Sequence, residues 1–170
     1  MKTPSPLAWL ALALLAVLGS TGCSSLPSES GVSLTGAWHG KIQAKTGALT
    51  GYQGLEFMYA FNAGGTLTES SNFDGSPPMP PAYGVWRQTG LRQYESRYEF
   101  FATKPPSNFA EVAKGGGWAP DGLGMLTEKI TLTEDGNAFA STIKYEIYDQ
   151  QGKLTDSGGV ATSKAERIKF

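Results

Sequence analysis

The chain has one cysteine and one histidine among its 170 residues, and those two scarcities exclude a good deal. Cys23 has no partner, so no intramolecular disulfide can staple the fold. Any Ser-His-Asp or Cys-His catalytic set would have to use His39, and there is no Gly-x-Ser-x-Gly nucleophile elbow. A metal site built from His and Cys is equally short of ligands, so neither a metal nor another cofactor is expected. Charge of either sign is sparse: 14 Lys+Arg against 15 Asp+Glu leave a net charge of −1. The basic residues are scattered, which argues against a nucleic-acid partner. No sustained helical periodicity is present. Lys114-Gly115-Gly116-Gly117 lacks the Lys-Ser/Thr pair and strand-to-helix setting of a phosphate-cradling loop, and reads as a plain loop.

What is present begins at the N-terminus. Lys2 gives a positive start, Leu7–Gly19 is an uninterrupted apolar run, and Ser20-Thr21-Gly22-Cys23 follows. The run is shorter than the ~20 apolar residues that span a bilayer comfortably, and the order is that of a secretory signal. With a cysteine directly after the small residues, the segment resembles a bacterial lipoprotein signal. That resemblance implies cleavage after residue 22, diacylglycerol on Cys23 and a lipid bilayer as partner. Ser24, rather than Asp, at the next position implies sorting to an outer membrane. The expected organisation is therefore a signal peptide over residues 1–22, a lipidated cysteine and polar tether over 23–33, and one domain over 34–170.

That domain alternates short β-rich runs with Gly, Pro, Asn and Asp punctuation. Strands are expected over Thr35–Ala44, Gln53–Phe61, Thr66–Phe73, Tyr83–Gln88, Leu91–Thr103 and Leu126–Thr133. A strand around Phe139–Ile147 and another over Leu154–Lys169, bent at Gly158-Gly159, complete the set. Asn62-Ala63-Gly64-Gly65 and Glu134-Asp135-Gly136-Asn137 read as hairpin turns. Lys104–Gly124 reads as a long loop, with Asn108 and Glu111 spaced as a helix start before Phe109–Lys114. It is expected to be a lid or a tucked surface loop. Eight strands in meander order, without a long helix, predict an all-β, up-and-down antiparallel barrel.

Gly36-Ala37-Trp38 on the first strand and Arg167 near the end of the last are where the domain resembles the lipocalin-like proteins. The segments FNAGGTL, YGVWRQTG, LTEDGNAF and YDQQGKL resemble small bacterial lipocalin-like domains. The resemblance implies that Arg167 packs over Trp38 and closes the narrow end, a cation–π contact of about 0.5–2 kcal/mol.

The remaining signal is aromatic. Phe57, Tyr59, Phe61, Tyr94, Tyr98, Phe100, Phe139 and Tyr145 alternate along strands, as core filling or as a ligand-pocket wall. All of these but Phe139 are the candidate ligand-binding residues. His39 falls on a polar strand face and reads as solvated. Glu56, Glu69, Glu95 and Glu99 fall within strands, where two meeting inside would be an acid–base pair and outward solvation is the default. The function expected is that of a non-enzymatic outer-membrane lipoprotein whose barrel binds a small apolar or amphipathic molecule. The alternative is a filled barrel that meets an envelope protein through its surface, for example at the Pro-rich stretch Gly75–Pro81. An enzyme is the third reading.

Overall fold

Each strand carries its apolar residues on one side, and in the computed structural model those sides line a common interior. Eight antiparallel strands, each paired with the next and the last with the first, form a closed barrel. The structure describes residues 32–73, 80–106, 108–114 and 117–170. The signal segment, Cys23, the tether as far as Gly31 and most of Gly75–Pro81 lie outside the described residues.

The strands are β1 (Gly36–Ala44), β2 (Leu55–Phe61), β3 (Thr66–Ser71), β4 (Ala82–Gly90), β5 (Gln93–Lys104), β6 (Ala119–Leu132), β7 (Ala138–Tyr148) and β8 (Leu154–Arg167). Closing the sheet removes both edges, so no strand is left with an unpaired row of backbone groups. The cleanest alternation is in β2, where Leu55, Phe57, Tyr59 and Phe61 are buried and Met58 and Ala60 exposed. The Asn62–Gly65 hairpin takes its positive φ at Gly65 (82°), and Asn62 donates its backbone N–H to Thr66 O at 2.9 Å. Asp135 organises the β6–β7 turn. Its carboxylate accepts from Thr133 Oγ1 at 2.6 Å and Asn137 N at 3.1 Å, and these bonds hold its pKa down at about 2.

One strand starts earlier than its sequence suggests. β6 begins at Ala119, not at Leu126, because β5 runs on as its partner out to Lys104↔Ala119. Pro120 and glycines 122 and 124 disguise this stretch as loop. A register shift between Ala102 and Thr103 lets Pro120 sit in the ladder. What remains of the long loop holds α1 (Phe109–Ala113), whose Glu111 N–H is capped by Asn108 Oδ1 at 3.2 Å.

β8 bends where Gly158 adopts φ 64° and the β7–β8 register shifts between Tyr145 and Ile147. A Cβ on Gly158 would lie 2.0 Å from the Tyr145 carbonyl oxygen, so the bend requires glycine.

Candidate functional site

The alternation stacks the inward side chains into a sealed end, a polar belt and an open cup. At the sealed end, the chain enters through Leu34, which is fully buried, with Val32 packed behind it. Trp38 lies beneath Leu34, also fully buried, and its Nε1–H donates to Leu34 O at 2.9 Å. The Arg167 guanidinium lies 4.2 Å from the centre of the Trp38 ring. Its nitrogens donate to Gly136 O (3.0 Å), Thr35 O (2.6 Å) and Ser33 O (2.6 Å). The cation thus ties the last strand to the entering chain and to the β6–β7 turn. Phe139 is 5.0 Å from the Trp38 ring, and Phe61, Tyr94, Trp86 and Leu132 complete this packing.

The belt above it centres on Glu128, which has no solvent exposure. Its Oε2 accepts from Tyr59 Oη at 3.0 Å and Ser96 Oγ at 3.4 Å. Its Oε1 accepts a short bond from Ser141 Oγ and a long one, 3.5 Å, from Ser163 Oγ. Ser141 and Ser163 are joined at 2.6 Å, and the Tyr59 and Tyr98 hydroxyls are hydrogen-bonded at 2.7 Å. Burial pushes the Glu128 pKa up to about 7, against the pull of the hydroxyl donors, Ser141 foremost. Burial, followed by the nearby Glu128 charge, raises both tyrosines well above their ordinary value, so they stay neutral donors.

Above the belt the barrel opens. A cavity of about 340 Å³ is lined by Ile42, Leu55, Phe100, Leu126, Ile143 and Ile147, with Leu49 from the short helical turn Ala48–Gly51 at its rim. Its polar lining includes Glu69, Ser71, Tyr98 and Tyr145. The Tyr145 hydroxyl is buried without a hydrogen-bond partner. Among the described residues no Lys, Arg or His lines the cavity. Room for Tyr98 comes from Gly84 across the β4–β5 pair, where a Cβ would stand 2.5 Å from the Tyr98 Cβ.

The candidate residues divide accordingly. Tyr98, Phe100 and Tyr145 are on the cavity wall. Phe57, Tyr59, Phe61 and Tyr94 belong to the packed core beneath it. Of the carboxylates picked from the sequence, three face outward into ion pairs: Glu56 with His39 (3.1 Å), Glu95 with Arg87 (2.9 Å) and Glu99 with Arg97 (3.1 Å). Of that set Glu69 lines the cavity from an inward-facing position, and Glu56 also contributes to the lining although its carboxylate is paired with His39. Ala48 and Leu49 of the short helical turn contribute to the described cavity lining. Among the described residues no three His, Cys, Asp or Glu side chains gather as a metal site.

Glu128, with Ser96, Ser141 and Ser163, was missed from the sequence. The signal was there: Leu126, Glu128, Ile130 and Leu132 share one strand face, so an acid stands in an inward column. The serines follow the same rule between Tyr94 and Tyr98, Phe139 and Ile143, and Ala161 and Ala165.

In comparisons with known proteins, the chain matches no protein-family model and no curated protein sequence.

Proposed function

We propose that this protein is a non-catalytic carrier or reservoir that holds a small molecule with an apolar body in the cup of a lipocalin-like barrel. The observation that supports the reading best is the cavity of about 340 Å³, which is within the range of small-molecule sites, roughly 300–1,000 Å³. Its wall is apolar apart from a few polar atoms, the arrangement that buries a ligand body and orients one head group. A catalytic reading has less support. Glu128, whose pKa is raised to about 7, is fully buried and is not among the residues lining the cavity. His39 is on the outer face, bonded to Glu56.

The lipoprotein signal belongs to the same proposal. Lipid on Cys23 would place the domain on a membrane, which by resemblance is an outer one. Native mass spectrometry of the purified protein, before and after organic extraction, tests the carrier reading. A discrete extra mass removed by extraction is the expected result. A bare mass, together with no binding of any added amphiphile, would overturn it and favour a barrel that meets an envelope protein through its surface.

A further inference from the structure

We infer that the cup takes an uncharged ligand: a compact apolar body with one carbonyl, ether or hydroxyl oxygen that accepts a hydrogen bond from Tyr145. The inference rests on the carrier reading above and adds the ligand's polarity and its anchor. Among the described residues no Lys, Arg or His lines the cavity, so an anionic head would shed its water without gaining a counter-charge. The carboxyls of the lining are already engaged. Glu56 is paired with His39 on the outer face, Asp156 accepts the Gly158 N–H at 2.7 Å, and Glu69 has an interaction of its own. An ammonium would have to compete with those contacts. An uncharged head gives up far less hydration on entering.

The hydrogen-bonding groups narrow the class further. Tyr98 Oη is bonded to Tyr59, and Ser71 is also engaged. Among the described residues, the Tyr145 hydroxyl is the buried side-chain polar atom without a partner. The backbone is shaped around it. Tyr145 shares the inward face of β7 with Phe139, Ser141 and Ile143, and two glycines of neighbouring segments make room for its ring. A Cβ on Gly158 would stand 2.6 Å from Tyr145 Cδ2, and one on Gly47 would stand 2.8 Å from the hydroxyl oxygen. A buried hydroxyl left unpaired is costly, and a phenolic O–H can donate to an oxygen lone pair. A ligand oxygen bonded to Tyr145 removes that cost, while Phe100, Leu126, Ile143 and Ile147 cover the apolar body. At roughly 30 Å³ per water-sized group, a volume of about 340 Å³ takes a molecule of about eleven heavy atoms. A small aryl ketone or ether fits, whereas a full-length acyl chain does not.

The test is calorimetric titration of the protein with acetophenone, ethylbenzene, benzoate and benzylammonium, which share a phenyl ring and differ at the head. The expected order is acetophenone tightest, ethylbenzene next, and both ions about tenfold or more weaker than acetophenone. Tyr145→Phe should weaken acetophenone about fivefold, the worth of one neutral hydrogen bond, and leave ethylbenzene within about twofold. It should not lower the unfolding midpoint of the unliganded protein, because no protein hydrogen bond is lost. Tyr83→Phe, on the exposed outer face, should change neither affinity. Ethylbenzene binding as tightly as acetophenone, acetophenone unmoved by Tyr145→Phe, or a lowered midpoint in that variant would overturn the anchor. Tightest binding of either ion would overturn the uncharged class. Each of these outcomes leaves a binding cup. Binding of none of the four would overturn this inference and, together with a bare mass in native mass spectrometry, the carrier reading as well.

Discussion

The two ends of the barrel obey the same alternation and reach opposite outcomes. At the sealed end, inward positions hold Trp38, Phe61, Phe139 and Leu132, each at most 2% exposed, and the interior closes. Toward the mouth they hold Ala44, Ser71, Ala102 and Ala161, and the same sheet encloses a cavity. An eight-stranded barrel has an interior that side chains just fill, so a run of small residues at one end is enough to open it. Between the ends, the Glu128 belt is a polar floor. Its hydrogen bonds span β2, β5, β6, β7 and β8 and fix the register on which both ends depend.

The sharpest break of that contrast is Trp38→Ala. It should cost about 4 kcal/mol in denaturant unfolding, since it leaves a large void and strands the Arg167 contacts. A loss under about 1 kcal/mol would mean that the sealed end does not hold the barrel closed.

Next in size is the belt. The folded Glu128 keeps its proton up to about pH 7, whereas the ordinary value is 4.5. The raised pKa stabilises the fold fully below the ordinary value, and that contribution is lost as pH rises through about 7. Unfolding free energy should therefore fall by about 3 kcal/mol between pH 4.5 and pH 8 on account of this residue. Glu128→Gln should flatten the profile over that window, read by urea titrations at several pH values. An unchanged slope in the variant would show that the carboxyl titrates normally.

At the mouth, Ala102→Phe fills space opposite Gly122 without touching the sealed end. Stability should move by no more than about 1 kcal/mol, while any extractable bound mass disappears. Loss of folding instead would remove the distinction between the ends. The smallest effect is expected outside. Glu95→Gln breaks a solvent-exposed pair with Arg87 and should change stability by under about 0.5 kcal/mol in the same urea assay.

Much of the barrel was legible because period-two alternation and turn chemistry are local. The Asn62–Gly65 and Glu134–Asn137 hairpins, the Gly158 bend and the strand order all follow from neighbours in the chain. The start of β6 was not legible, because Pro120 and Gly122 are loop residues by local preference and only pairing with β5 makes them strand. The site was half legible. Tyr98, Phe100 and Tyr145 can be picked from alternation, but so can Phe57, Tyr59 and Phe61, and nothing local separates wall from core. Height along the barrel separates them, and height depends on how the strands stagger against one another.

The sequence by itself determined the class of fold, the inward face of most strands and the scarcity of catalytic or metal-binding side chains, since each depends on residue type and short-range spacing. Tertiary structure decided that Glu128 would be drawn into the interior with Ser96, Ser141, Ser163 and Tyr59. It also decided that Glu69 would face a cavity while Glu56, Glu95 and Glu99 face water. These are outcomes of closure: a strand's face is set two residues at a time, but who meets whom across the barrel is set by the register of all eight strands together.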